Sequence, residues 1–192
     1  MILDERILIE RLKKKDNSAF KEIVETRHVM VYNTVLGILQ NAEDAEDVAQ
    51  DVFVQVYESI NSFKQESKLS TWLYRIAVSK AMDHLRKKKR KKRFAFIQSL
   101  FGNNDELIND PPDFFHPGIV LENKQNATVL FKAIKTLPQN QHTAFILNKI
   151  EGLSYQEIGD VMKLSVPAID SLLQRAKTNL RKYLTNYYEQ NL

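Results

Sequence analysis

Apolar residues recur along this chain at intervals of three and four, the spacing that lines one face of an α-helix. Ile7, Leu8 and Leu12 share a side behind Asp4 as a cap, which predicts a short helix reaching about Lys14. A second helix is expected to start at Asp16 to Ser18, with Phe20, Ile23, Val24, Val31, Val35, Leu36 and Leu39 as its inward positions. Asn41 suits the cap of a third, whose first-turn acids match the positive end of the helix dipole. Its stripe is Ala45, Val48, Val52, Val56 and Ile60. A fourth helix begins near Ser70 or Thr71, turns Leu73, Ile76, Ala77 and Leu85 inward, and runs into a basic tract.

The periodicity then fails. Residues 94–120 hold the turn formers Gly102, Asn103, Asn104, Asn109, Pro111, Pro112, Pro117 and Gly118, together with Asp105, Glu106, Asp110 and Asp113. They read as an acidic linker in which Phe94, Phe96, Ile97, Leu100 and Phe101 still pack on something. Helical spacing resumes near Leu121. Leu130, Ala133, Ile134 and Leu137 give one helix; Pro138 fits the first turn of the next, which runs to Glu151 and stops at Gly152. Ser154 and Glu157 form a capping-box pair for a short helix ending at Met162. Lys163 and Leu164 turn the chain, Ser165 caps the last helix, and Pro167 is tolerated in its first turn. Ile169, Leu173, Ala176 and Leu180 carry its stripe. Strand-like alternation is lacking, and 5 Gly and 5 Pro in 192 residues suit helices joined by short turns. The expectation is an all-α protein of two small helical domains, residues 1–93 and 121–192, joined by a linker at 94–120.

Composition narrows the chemistry. No apolar run approaches the ~18 residues of a membrane span, and charged Asp4, Glu5 and Arg6 argue against a signal peptide. Cysteine is absent, which removes disulfides and thiolate metal sites and fits a reducing cytoplasm. His28, His84, His116 and His142 show no ligand spacing. Asp83 and His84 are neighbours, but adjacent helical positions diverge. There is no phosphate-binding glycine loop and no nucleophile motif. The sequence therefore predicts no catalytic site, no metal and no cofactor.

The net charge of +4 hides an uneven distribution. Arg86 to Arg93 reads RKKKRKKR; without those eight residues the balance is 20 basic against 24 acidic. Residues 28–63 contain no Lys or Arg but carry Glu43, Asp44, Glu46, Asp47, Asp51 and Glu58. The basic tract suits phosphates or is a solvated helix end; the acidic stretch suits a basic partner or is a solvated face.

Two constellations follow. Ser154 to Ala176 has the outline of a helix-turn-helix, in which Ile158, Met162, Leu164, Val166, Ile169 and Leu173 form a small core and Gly159 permits a close crossing. The outer side of the second helix would present Ala168, Asp170, Ser171, Gln174 and Arg175 to base edges, while Lys163, Lys177, Arg181 and Lys182 hold phosphates. Plain helical-hairpin packing gives the same pattern. Phe63, Trp72 and Tyr74 lie among Lys64, Lys68, Arg75 and Lys80, an interleaving that can stack unpaired bases and hold their backbone. The same aromatics would also serve as core.

The segments DAEDVAQDVFVQVYESI and STWLYRIAVSKAMDHLR closely resemble the second conserved domain of the extracytoplasmic function (ECF) sigma factors. LPQNQHTAFILNKIEGLSYQEIGDVMKLSVPAIDSLLQRAKTNLRKYL resembles their fourth-region domain, and the two come in the family's order. The resemblance implies that Asp44, Asp47, Val48, Gln50, Asp51 and Val54 dock on the clamp helices of core RNA polymerase. It implies that Phe63, Lys64, Ser67, Lys68, Thr71, Trp72, Arg75, Ser79, Lys80, Asp83, Arg86 and Lys87 open and read the minus-ten promoter element, an extruded base sitting in the loop from Phe63 to Ser70. The minus-thirty-five element falls to Lys163, Ser165, Ala168, Asp170, Ser171, Gln174, Arg175 and Lys177. Further implied partners are the polymerase flap and an anti-sigma factor, with no membrane contact of the chain's own; the linker acids would mimic RNA phosphates in the exit path. Three departures from the pattern stand out: Asp170 and Leu172 replace common basic residues, Lys163 replaces a turn glycine, and Leu73 follows Trp72 where primary sigma factors have a second Trp. The alternative, a stand-alone helix-turn-helix repressor or activator, needs only the last domain and leaves the acidic helix and the Trp72 segment unexplained.

Overall fold

The computed structural model describes residues 2–101 and 124–191, which form eight α-helices and a short 3-10 turn, with no strand among the described residues. Helices α1 (Ile2–Lys13), α2 (Asn17–Leu39), α3 (Ala42–Ser59) and α4 (Leu69–Phe101) make the N-terminal half, with the 3-10 turn Ile60–Ser62 after α3. Helices α5 (Lys124–Thr136), α6 (Gln139–Lys149), α7 (Tyr155–Met162) and α8 (Val166–Asn191) make the C-terminal half.

Local chemistry sets most of the boundaries. Asp16 Oδ1 accepts from the Ser18 and Ala19 amides at 2.8 and 3.2 Å, satisfying donors that the first turn of α2 leaves open. The Ser18 hydroxyl and the Arg11 guanidinium also donate to that carboxylate and hold it well below the ordinary range. Asn41 Oδ1 accepts from the Asp44 amide at 2.7 Å and starts α3. Gln40, in the left-handed region at φ 51°, closes α2 by donating its amide to Leu36 O. Gly152, at φ 71°, makes the corresponding turn after α6, where a side chain would be strained.

The helices differ from the sequence reading in three places. Helix α1 starts at Ile2, so Asp4 lies in its first turn rather than ahead of it, a position the helix dipole still favours for an acid. Ile7 is 52% exposed, and Ile9 takes the inward position with Leu12, because that side faces α2 and the 3-10 turn. Helix α4 continues past Arg93 to Phe101. The linker acids Asp105, Glu106, Asp110 and Asp113 lie outside the described residues.

Helices α2, α3 and α4 pack on one another, and α8 receives α5, α6 and α7. Ile23, Leu36, Ile60, Leu69 and Leu73 are fully buried in the first unit, and Ile158, Ile169 and Leu173 in the second. Each such side chain stabilises by about 1.5–3 kcal/mol relative to exposure. The two halves also touch. Helix α6 packs on α2 and α7 on α4, so one apolar core runs from Ile23 and Leu36 through Ile134 and Ile146 to Leu180. This explains why Thr34 to Gln40 is buried without interruption: α3 and α4 cover one side of α2, and α6 covers another.

Candidate nucleic-acid and polymerase interfaces

Helix α3 divides its residues cleanly. Ala45, Val48, Ala49, Val52, Phe53 and Val56 are buried, whereas Asp47, Gln50 and Asp51 are exposed and Val54 is an exposed apolar residue beside them. Val48, expected at the docking surface, is 3% exposed; it falls on the stripe with Ala45 and Val52 and supports the helix from inside. Asp44 is half-buried. Burial works against its charge, but Lys88 Nζ at 2.7 Å and His84 Nε2 at 3.2 Å hold the carboxylate below its ordinary value. The acidic stretch and the basic tract therefore meet inside one domain at this point.

The loop before α4 and the first turns of that helix hold the second set. Phe63 and Thr71 are buried, and Trp72 is half-buried with its ring tilted 32° on Phe63 at 5.1 Å. Phe63 thus backs the Trp72 ring rather than lining an open pocket. Lys64, Lys68, Ser79 and Lys87 are exposed; Ser67, Arg75 and Lys80 are half-buried. Asp83 pairs with Arg86 one turn along α4. Trp72, Arg75, Ser79, Lys80 and Asp83 border a cleft of about 690 Å³ whose opposite wall is Asn140, Thr143, Val161, Met162 and Lys163.

The helix-turn-helix is formed as its residues direct. The Ser154 side chain accepts from the Glu157 amide while Glu157 Oε2 accepts from the Ser154 amide at 3.1 Å. These bonds, with Lys68, pull the Glu157 carboxyl down to about 2. Lys163 turns the chain at φ 56°, and the Leu164 amide donates to Gly159 O at 3.0 Å. A Cβ at Gly159 would lie 2.8 Å from Leu164 O, so the crossing needs a glycine. Ala144, Leu147, Leu153, Ile158, Val161, Ile169 and Leu173 are the core of this unit. On α8, Ser171, Gln174, Arg175 and Lys177 are exposed, as are Lys163 and Ser165; Ala168 is half-buried. Asp170 accepts from Gln174 Nε2 at 2.9 Å, and Arg175 Nε donates to Ser171 O at 3.1 Å. Leu172 is half-buried against the helix-turn-helix core, where a basic residue would lose its hydration.

Glu151 and His142 are functional candidates that periodicity does not reveal. His142 Nε2 donates to Gly37 O of α2 at 3.0 Å, and burial pushes the imidazole pKa down. Tyr74 donates its hydroxyl to Glu151 Oε2 at 3.2 Å; burial pushes this carboxyl up to about 7 and, with the Glu151 charge, pushes the phenol up. A titratable residue among apolar positions is the only signal the sequence offers for either. Among the described residues, no group of three or more His, Cys, Asp or Glu is placed to hold a metal, and no helix is long and apolar enough to cross a membrane.

Residues 23–91, which cover most of α2 through the basic part of α4, match sigma-70 region 2, and residues 128–180, from α5 into α8, match sigma-70 region 4. The ECF RNA polymerase sigma factor SigW of Bacillus subtilis (strain 168) is 32% identical over 184 residues, covering 92% of this chain and 94% of SigW. The chain belongs to the ECF sigma factors. The ECF sigma-E factor of Escherichia coli (strain K12) is 29% identical over 175 residues, 91% of each chain. Two solved structures share the fold. CnrH in complex with the cytosolic domain of CnrY has a TM-score of 0.66 at 21% identity, over 95% of this chain and 97% of that one. RpoE in complex with the anti-sigma factor NepR from Bartonella quintana has a TM-score of 0.64 at 22% identity, over 86% and 96%. As a sigma factor, the protein binds RNA polymerase and directs transcription initiation.

Proposed function

We propose that residues 1–93 bind core polymerase and open the minus-ten element, that 94–120 link the two domains, and that 121–192 read the minus-thirty-five element. The observation that carries this division is the opposition of charge within the N-terminal half. Asp47, Gln50, Asp51 and Val54 form one exposed acidic face on α3, while Trp72, Arg75 and Lys80 line α4. An acidic face repels DNA and suits the basic clamp helices; an aromatic among cations suits an unpaired strand. Flipping one base costs a few kcal/mol, which stacking and a polar pocket offset. In the C-terminal half, Gln174 and Arg175 are set to read base edges, with Lys163 and Lys177 on phosphates.

The chain supplies specificity and no catalytic group of its own; the chemistry of RNA synthesis belongs to the polymerase. Its site of action is the cytoplasm, without membrane contact of its own. Its partners are the clamp helices and flap of core polymerase and promoter DNA. An anti-sigma factor is a further partner, by analogy with the complexes in which the similarly folded CnrH and RpoE were solved.

Run-off transcription with purified core polymerase on fragments of the source genome tests the reading. Discrete start sites that require the protein are expected. No new start sites, together with tight duplex binding by the protein alone as a dimer, would replace it with the stand-alone repressor.

A further inference from the structure

The outer side of α8 carries two braces between polar residues. Ile169, Leu173 and Ala176 turn inward, which sets Asp170, Ser171, Gln174 and Arg175 on the other side of the helix. Gln174 Nε2 donates to Asp170 Oδ2 at 2.9 Å, one helical turn back. Arg175 Nε donates to Ser171 O at 3.1 Å over the same spacing. Among the described residues, Gln174 is the hydrogen-bonding partner of the Asp170 side chain, and no Lys or Arg pairs with it. Salt-bridging within the protein therefore does not account for this acid. A carboxylate beside phosphates also lowers affinity, so its contribution lies elsewhere.

A side-chain amide can present either its oxygen or its nitrogen to a base. Here the carboxylate decides, because it accepts and has nothing to donate. The Gln174 nitrogen has to face Asp170. That leaves Oε1 and the second Nε2 hydrogen for the groove. An acceptor beside a donor matches adenine, whose N6 donates and whose N7 accepts. Guanine offers two acceptors, O6 and N7, and thymine offers O4; each would set an acceptor against Oε1. Cytosine satisfies Oε1 through N4 but leaves the Nε2 hydrogen without an acceptor.

We propose that Asp170 is a positioning residue that fixes the Gln174 amide, so that the upstream element carries an adenine at the base pair Gln174 meets. The inference rests on the assignment of α8 to the minus-thirty-five element. Asp170 touches no base itself and acts through Gln174. A pair of this kind on a helix surface adds little to stability. Its effect is on which atoms meet the base.

The test measures binding of the holoenzyme to a duplex promoter mapped by run-off and to every single base-pair variant of its upstream element. The full-length chain is used as wild type, Asp170→Asn, Gln174→Ala and the double variant. Asn has the same size, carries no charge and can meet Gln174 with oxygen or nitrogen, so it releases the amide. The lost charge raises affinity for all sequences alike, and only ratios between sequences carry the test. At one base pair the wild type should favour adenine over guanine by about tenfold or more. Asp170→Asn should cut that ratio to roughly threefold or less, and Gln174→Ala should abolish it. The double variant should match Gln174→Ala, because the two residues act as one unit. Ratios at the other base pairs should stay at wild-type values, which general damage to the helix would not allow.

An adenine preference that survives Asp170→Asn would overturn the proposal. A cytosine preference lost in Asp170→Asn and kept in Gln174→Ala would do the same, since Asp170 would then touch the base directly. If Arg175→Ala alters a base preference and Gln174→Ala alters none, the proposal fails while the assignment of α8 stands. If neither changes any upstream preference, the minus-thirty-five assignment fails and takes the proposal with it.

Discussion

Lys88 Nζ donates to Asp44 Oδ2 at 2.7 Å, tying the fourth helix to the first turn of the third. One member of the basic run is thereby taken up within the domain, while Lys87, Arg90 and Lys91 remain exposed. Lys88→Ala should lower stability with little effect on promoter affinity. Lys87→Ala or Arg90→Ala should leave stability alone and reduce the salt dependence of promoter binding, by about one unit of slope for each phosphate no longer neutralised. The Asp44 carboxyl is depressed, so its contribution to stability is present above its ordinary value and fades as pH falls through the folded one. Urea titrations and salt series on the two classes of variant check both statements.

Asp47 and Asp51 stand exposed on the same side of α3, clear of the Asp44–Lys88 contact. The double change to Lys should leave helix content and melting temperature close to wild type and weaken core polymerase binding about tenfold or more, because two attractions become repulsions at a charged interface. Unchanged affinity would remove the polymerase assignment from this face.

Asp170 holds the Gln174 amide, and Arg175 uses only its Nε on Ser171 O, which leaves the terminal guanidinium nitrogens for a groove. Arg175→Ala should cost about 1–3 kcal/mol at one base pair of the upstream element. Asp170→Ala should tighten duplex binding by a few-fold on all sequences, since it removes a carboxylate from beside phosphates. Binding to a library of single base-pair variants distinguishes the two patterns.

Gly159 and Lys163 make opposite predictions on one turn. Gly159→Ala forces a methyl onto Leu164 O and should destabilise the domain by about 1–3 kcal/mol. Lys163→Gly relieves a left-handed residue and should gain roughly 0.5–1 kcal/mol after the entropy of glycine in the unfolded chain is counted. Thermal unfolding of both variants measures the signs.

The interdomain contact carries two titratable groups that oppose each other. Glu151 meets Tyr74 of α4 and Thr34 of α2, with Glu157 and Arg27 also acting on Tyr74; its closed-form value near 7 exceeds the ordinary 4.5. Closure is therefore weakened as pH rises from 4.5 to about 7 and carries the full penalty above that. His142 faces the Gly37 carbonyl and is depressed below 6.5, so closure is weakened as pH falls below that value. The wild type should respond weakly between these limits. Glu151→Gln should open on acidification and His142→Gln on alkalinisation, both followed by Trp72 quenching.

Much of this architecture is legible in the residues themselves. Asp16, Asn41 and Ser154 cap helices through bonds that span two or three positions, and the stripe Ala45, Val48, Val52 and Val56 says which side of α3 turns inward. The helix-turn-helix follows from a capping box, a glycine and a turn within a dozen residues. Periodicity states that a face is buried, however, and not what buries it. Ile9 stands three positions before Leu12 and Ile7 five, so helical spacing sets Ile9 and not Ile7 beside Leu12, and α2 with the 3-10 turn is what covers that side. Tyr74 and Glu151 are 77 positions apart, and His142 and Gly37 are 105 apart. Local propensity and motif spacing determined the helices and the family; the contact that joins Tyr74 to Glu151, and the closing of α7 over Arg75, were decided only by tertiary packing, because they depend on how two finished surfaces fit.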